Sequence, residues 1–355
     1  MNFSCAANSA EAAAGILGPE ITIVYPPVVD WYLLYQRPQQ LLTSFAKIEN
    51  VRSIFISNEI FKPLDKPVTE IKKDMFVVKH TADYEKLVKG RKVLWLSYPP
   101  YYTYAEKGAF DLVVFDAIDN PVGEFSHWAG NLGNALKYAD IISCTTNYLY
   151  DYHKNSGKPV FLCPNGADYE QFKVARKRLP RPGDLPLLDK NEKLIGFYGA
   201  LASWIDFELI GKIAEEYKVV LIGKNKYYNR GISHPNVTIL EHKDYRELPF
   251  YLSHFDLALI PFKLDELTAG CDPIKFYEYI SAGKPVLATE LDELKRNFSD
   301  IAYFVNCDNC HEVIARAIAE DSLVLQEERM EVARQNSWDT RAKKAINMIR
   351  KHLAK

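Results

Sequence analysis

Residues 257–289 read LALIPFKLDELTAGCDPIKFYEYISAGKPVLAT, and this stretch decides the fold. Residues 257–262 and 285–289 are short apolar runs, with the length and proline flanks of buried parallel strands, and the segment between them carries helical periodicity. Asp272 and Pro273 take the N-cap and first helical positions, and Gly283 takes the C-terminal stop. A helix that starts at the carboxyl edge of a parallel strand turns its free N–H groups into the crevice where open α/β sheets bind ligands, and phosphate suits them. Gly270, Cys271, Asp272, Pro273 and Ile274 form that rim. Lys275 lies in the first turn to neutralise a diphosphate, and Glu278, one turn later, to accept ribose hydroxyls. The same spacing also fits a plain capped helix whose surface Lys275–Glu278 pair is worth a few tenths of a kcal/mol.

Upstream, strands are expected at 21–25, 53–57, 76–79, 93–97, 112–118, 141–145 and 160–163. Most alternate with helical stretches at 36–47, 83–89, 129–138 and 147–154, which makes a doubly wound unit. The prolines and charges of KVARKRLPRPGDLPLLDKN break both periodicities and mark 173–191 as a linker. A second series follows, with strands at 194–198, 219–222, 237–240, 257–261, 286–288 and 303–305 and helices at 205–217 and 246–253. The expected organisation is a loose extension over 1–19, a first Rossmann-like domain over 20–172, the linker, a second such domain over 192–338, and a basic amphipathic helix over 339–355. Two such α/β domains place the site in the cleft between them.

A chain of 355 residues, 48% of them hydrophobic, suits two cores. The formal charge of −2 supplies no global basic field, so nucleic acid is not an expected partner. No apolar run approaches the roughly 20 residues that span a bilayer. The Ala-rich start lacks the basic and continuous apolar regions of a secretory signal, and the expectation is a cytoplasmic chain. The terminal helix sets Ala345, Ile349 and Leu353 on one face among Lys and Arg residues. It either packs on its own protein or lies peripherally on an anionic membrane. Six cysteines, mostly in or beside apolar strands, read as reduced buried thiols. Cys307-Asp308-Asn309-Cys310-His311 matches the c-type haem attachment string. Haem attachment accompanies export, so a redox pair or an adventitious metal site is the better reading, and no cofactor is expected.

In the first domain, residues 25–40 read YPPVVDWYLLYQRPQQ. Arg37, near a helix N-terminus, would face the cleft and meet phosphate or an acidic acceptor, the alternative being a salt bridge that steadies the helix. Asp116 and Asp119 stand at a strand's carboxyl edge, with His127 just beyond, and could bind acceptor hydroxyls or assist catalysis. Asp119-Asn120-Pro121 is equally natural turn chemistry. Tyr98 and Tyr101, in SYPPYYTY, either stack on acceptor sugars or pack a stiff loop.

The string DPIKFYEYISAGKPVLAT resembles the donor-binding motif of GT-B glycosyltransferases of the family 4 type, which Glu278, Gly283, Pro285 and Val286 match. The resemblance implies that Glu278 binds the nucleotide ribose and that amides at the helix start hold the diphosphate. The family pattern has a second glutamate eight residues earlier, where this chain has Gly270, so Asp265, Glu266 or Asp272 would take over its role near the donor sugar. An Arg and a Lys usually follow the first strand of the second domain, in the loop opened here by Gly199. Neither occurs between Gly199 and Asp206, which leaves Lys224, Lys275 and Arg37 as replacements. Tyr245 falls where the family cups the base. Trp31 followed by the Gln-Arg-Pro-Gln string is similar to a branch of bacterial cell-surface polysaccharide glycosyltransferases, including teichuronic acid type enzymes, and places Trp31 on the acceptor side. In such enzymes the final helix commonly crosses back to the first domain.

The chain contains no Asp-x-Asp pair to hold a divalent cation, so the leaving diphosphate is expected to be stabilised by helix N–H groups and cations without a metal. The resemblance implies a retaining transfer in which the leaving phosphate takes the acceptor proton. The expected partners are a nucleotide-diphosphate sugar, with UDP preferred, and a glycan or lipid-linked acceptor. A nucleotide-sugar 2-epimerase shares the architecture but needs an acid and base set, and a non-catalytic sugar-nucleotide-binding subunit remains a third reading. No GxGxxG follows the first strand of either half, which argues against a nicotinamide dehydrogenase.

Overall fold

A computed structural model describes residues 20–33, 35–224 and 232–354. The extension expected over 1–19 lies outside the described residues. The first sheet contains β1 (Ile21–Tyr25), β2 (Val51–Ser57), β3 (Val68–Lys72), β4 (Met75–Lys79), β5 (Arg91–Leu96), β6 (Leu112–Ala117), β7 (Ile141–Cys144) and β8 (Val160–Leu162). Its order is β3-β4-β2-β1-β5-β6-β7-β8, parallel throughout except for the antiparallel β3–β4 edge. The second sheet, wholly parallel, contains β9 (Leu194–Tyr198), β10 (Lys218–Ile222), β11 (Val237–Leu240), β12 (Leu257–Ile260), β13 (Val286–Ala288) and β14 (Ala302–Phe304). Its order, β11-β10-β9-β12-β13-β14, is the 3-2-1-4-5-6 order of dinucleotide-binding sheets. The central strands are apolar because both faces are covered: Leu257, Ala258, Leu259 and Ile260 have no exposed surface.

Several local expectations shift. The helix expected over 83–89 is a single 3₁₀ turn, Glu85–Leu87. The helix expected over 36–47 is Arg37–Phe45, entered through Gln36 with Pro38 in its first turn. The segment 173–191 is not a free tether, because Ala175 and Leu185 are buried in the second core. Helix Trp338–Leu353 crosses back to the first domain and inserts Trp338, Ala342, Ala345, Ile346 and Ile349 into that core. Its apolar face is therefore occupied by protein and is not free to lie on a membrane.

The chain passes between the domains twice, and the two passages run side by side. The Ala167 N–H donates to Asn336 O at 3.1 Å, and the Trp338 N–H donates to Ala167 O at 3.1 Å. Gly166 permits the approach, since a Cβ there would stand 2.6 Å from Asn336 O.

Candidate active site

In the second sheet the topological switch lies between β9 and β12, and helix Ile274–Ser281 begins beside it. Pro273 occupies the cap position, one residue later than the spacing predicts. Asp272 is not the cap because its carboxylate has other partners: Oδ2 accepts the Asn165 N–H at 2.6 Å and Oδ1 accepts the Tyr277 hydroxyl at 3.0 Å. Asn165 Nδ2 also donates to the Asp272 carbonyl at 2.6 Å. Burial nonetheless raises the Asp272 carboxyl to about 6. Helix geometry leaves the N–H groups of Ile274 and Lys275 without a helical acceptor. At the far end, Gly283 adopts φ +70° and stops the helix as expected.

Glu278 is 2% exposed and points into the protein. Its Oε2 has no hydrogen-bond partner, and neither has the hydroxyl of Tyr198 at the end of β9. Burial raises the Glu278 carboxyl to about 7, against the pull of the Lys275 ammonium and the neighbouring Tyr198 and Tyr245 hydroxyls. Lys275 is half-buried and makes no hydrogen bond or ion pair among the described residues. Its stem passes over Gly199, where a Cβ would stand 3.4 Å from Lys275 Cε. Gly199 and Gly223 have φ of +154° and +159°, and a Cβ on Gly223 would lie 1.7 Å from Gly199 O, so the ends of β9 and β10 touch backbone to backbone. The result is a floor of bare main chain beneath the Lys275 side chain.

Lys224 is exposed, its ammonium 5.4 Å from the ring centroid of Phe61 in the first domain. It borders the same site as Lys275: burial lowers the pKa of His242, and both ammonium groups push it the same way against Asp244. Tyr245 is already engaged. Its ring packs on Tyr35 and Phe172, with centroids 4.9 and 5.4 Å away, and its hydroxyl accepts from Gln40 Nε2 at 2.6 Å. The expected base platform is thus part of the contact between domains.

The first domain corrects three expectations. Arg37 is buried and spends all five donors inside the protein. Nε and Nη2 hold Asp116 in a fork at 2.8 Å each, and the remaining N–H groups reach Cys163 O, Pro164 O and Asn165 Oδ1. Nothing is left for a phosphate. Asp116 takes the Arg37 fork and the Trp95 indole N–H at 2.9 Å, so its oxygens are not available to an acceptor. Trp31 is 5% exposed, edge-on to Phe55 and Tyr35, and belongs to the core.

Asp119 is different. It makes no hydrogen bond among the described residues, and burial raises its carboxyl to about 7 against the pull of Arg37. It lies close enough to Cys271 for its charge to add to the burial that raises that thiol. Gly270 lies against Asn120, where a Cβ would meet Asn120 Cβ and N at 3.2 Å, so a larger residue here would require Asn120 to give way slightly. Of its expected substitutes, Asp265 caps the short helix Glu266–Ala269, Asp272 is bonded to Asn165 and Tyr277, and only the exposed Glu266 carboxylate is uncommitted.

Tyr98, Tyr101 and His127 do come together. Tyr98 has Tyr101, His127 and Trp128 within 5.5, 6.1 and 5.6 Å, centroid to centroid. Phe125 extends the cluster to Trp204 of the second domain at 6.4 Å. The Trp128 indole N–H is buried without a partner.

Sequence reasoning missed Tyr198 and Asn165. A tyrosine that ends a buried strand carries a polar handle needing a partner, and that signal was readable for Tyr198. Asn165 gave none, since its partners are distant in the chain. Among the described residues no group of three or more His, Cys, Asp or Glu side chains is placed to hold a metal ion. Cys307 and Cys310 are free thiols, and His311 lies 3.2 Å from Glu216.

No protein-family model matches the chain. Over 282 residues, 70% of this chain and 69% of the relative, it is 25% identical to "Putative teichuronic acid biosynthesis glycosyltransferase TuaH" of Bacillus subtilis (strain 168). Sucrose-phosphate synthase from Thermosynechococcus elongatus superposes with a TM-score of 0.67 at 15% identity, covering 95% of this chain and 100% of that one. The E. coli trehalose-6-phosphate structure bound with UDP-2-fluoro glucose gives 0.62 at 12%, covering 92% and 98%. A UDP-forming α,α-trehalose-phosphate synthase from Burkholderia xenovorans gives 0.65 at 12%, covering 94% and 99%. The fold is that of the GT-B glycosyltransferases, two Rossmann-like domains across a cleft.

Proposed function

We propose that the protein is a retaining, metal-independent glycosyltransferase that moves a sugar from a UDP-linked donor to a surface polysaccharide or lipid-linked glycan. The observation that carries this reading is Glu278: a buried carboxyl with an unpartnered oxygen, beside an unpartnered Tyr198 hydroxyl, at the switch point of a dinucleotide-type sheet. Such a group is costly unless a ligand supplies donors, and ribose hydroxyls are suitable ones. The similarity to the Bacillus subtilis relative and to UDP-using neighbours supports the same class.

In this mechanism the second domain, 192–338, holds the donor and the first, 20–172, the acceptor. Glu278 accepts the ribose hydroxyls while the Ile274 and Lys275 N–H groups and the Lys275 ammonium meet the diphosphate. These fixed dipoles and the cation stabilise the charge that grows on the leaving phosphate as the glycosidic bond breaks. That phosphate takes the proton of the incoming acceptor hydroxyl. Asp119, unpaired and titrating near 7, orients the hydroxyl, and the Tyr98, Tyr101 and His127 cluster carries the rest of the acceptor.

A thermal-shift panel of UDP, GDP, ADP and dTDP sugars on wild type and Glu278→Ala tests the donor half. A UDP-sugar shift that Glu278→Ala abolishes is expected. Silence across a saturating panel would overturn the reading. Gly270, in place of the family glutamate, favours one rival, a binding subunit without turnover. Slow hydrolysis of the bound donor distinguishes the two, since only the enzyme releases UDP.

A further inference from the structure

We propose that the lip of the first domain formed by Tyr32, Ile60 and Phe61 is a docking surface for an anionic phospholipid bilayer. These side chains are 54%, 66% and 67% exposed, among the most exposed large apolar groups described. They follow β1 and β2 at the carboxyl edge of the sheet, on the mouth of the cleft, where Lys224 of the second domain reaches over Phe61.

The loop is built rather than loose. Asp30, 2% exposed, spends its carboxylate on the main chain of this surface turn, accepting the N–H groups of Ile60, Phe61 and Lys62 at 3.0, 2.6 and 2.8 Å. Glu59 adopts φ +61°, and its Oε1 takes the Leu64 N–H at 3.1 Å. Leu64, 5% exposed, pins the far end in the core. A buried carboxylate and a left-handed glutamate thus hold two large apolar side chains out in water.

The charges around the tip select the partner. Lys62 stands 5.3 Å from the Tyr32 ring centroid, and Lys62, Lys66 and Lys224 are all exposed. Of the nearby carboxylates, Asp30 and Glu59 are buried and engaged by the loop's own N–H groups and by Lys79, Asp244 is paired with Arg246, and Asp65 is exposed. Apolar tips ringed by lysines match the boundary between acyl chains and anionic headgroups, with lysine stems reaching along the apolar side chains to keep the ammonium in the headgroup layer. The terminal helix cannot supply an apolar face, because the protein already covers it.

Flotation of the full chain with vesicles of phosphatidylcholine alone, or mixed with phosphatidylglycerol, tests the proposal. Wild type is expected to float with the mixed vesicles, less so as salt rises. Ile60→Asp with Phe61→Asp should weaken this by about tenfold or more, and Lys62→Glu with Lys66→Glu should weaken it too. Lys343→Glu with Lys344→Glu and Lys351→Glu, on the outer face of the terminal helix, should leave it intact. An unchanged melting temperature in each variant shows that the fold survives, and donor binding is read separately, so this surface and the catalytic reading fail independently. No flotation of wild type, or equal flotation of the Ile60/Phe61 variant, overturns the proposal. A dimer in solution that this variant dissolves, without vesicle binding, assigns the patch to a second copy of the chain and also overturns it.

Discussion

Glu278 is a buried carboxyl whose Oε2 has no hydrogen-bond partner, and that burial bears on stability. Its carboxyl has an ordinary value of 4.5 and is raised by burial to about 7. Between those values the folded state holds a proton the unfolded chain has lost, so this group removes stability as pH rises through the window. The full penalty, about 3 kcal/mol, stands above pH 7. Glu278→Gln keeps the shape and removes the charge. It is expected to raise the melting temperature over wild type by more near pH 8 than near pH 5, while losing the donor-induced shift. Equal gains at both pH values would show that the charge is not what the fold tolerates for its ligand. Arg37 is the opposite case, a residue whose chemistry suggested a substrate contact and whose place is structural. Its partner Asp116 lies 79 positions away, a pairing that no local spacing reveals. Arg37→Ala strands a buried carboxylate and should cost about 3–5 kcal/mol in urea unfolding. A phosphate-binding arginine would instead leave stability nearly unchanged and lower turnover.

At the scale of elements, hydrophobic pattern revealed the central strands because parallel strands buried on both faces are short apolar runs, as in LALI of β12 and VLA of β13. It failed where burial is one-sided. β3, VTEIK, is an edge strand whose residues are half-buried or exposed, and only pairing with β4 makes it a strand. Helix Leu323–Gln335 is harder still, since it buries Arg329, Met330 and Ala333 while Leu323 and Val324 are exposed. Arg329 is held there by Gly283 O at 3.0 Å and Asp321 at 2.6 Å, so a buried cation takes the place of an apolar stripe. The floor of the site was legible only in part. Gly199 was readable as a loop glycine, but its partner Gly223 was not, because the need for it is contact with Gly199 rather than a turn. Gly223→Ala is expected to cost about 3 kcal/mol or more, since the clash is with main chain and cannot be relieved by a rotamer. It should also weaken donor binding, whereas Gly133→Ala, where nothing lies within 4 Å of the new Cβ, should do neither. Urea unfolding with a donor titration checks both variants.

For the whole molecule, the cleft is closed by polar contacts spread around its rim. Gln40 meets Tyr245, Asn120 donates to Glu266 O at 2.9 Å, and Asn165 joins Asp272 beside the paired chain crossings. Glu293, whose charge also reaches Asp272, accepts the N–H and side-chain amide of Asn147, both at 3.0 Å. For a sugar nucleotide to reach Glu278, as proposed, some of these contacts must part, and the crossings at Ala167 and Trp338 are the natural pivot. Glu293→Ala removes two charge-assisted hydrogen bonds to Asn147. Water recovers part of the loss, and a shift of the open–closed balance by about 2 kcal/mol, roughly 30-fold, is expected. Small-angle X-ray scattering should then show a larger radius of gyration for the ligand-free variant than for wild type, with compaction restored by a saturating UDP-sugar. If the radius is unchanged, closure is held by the other rim contacts, and Asp272→Asn, which weakens the acceptor facing Asn165, becomes the variant that opens the cleft.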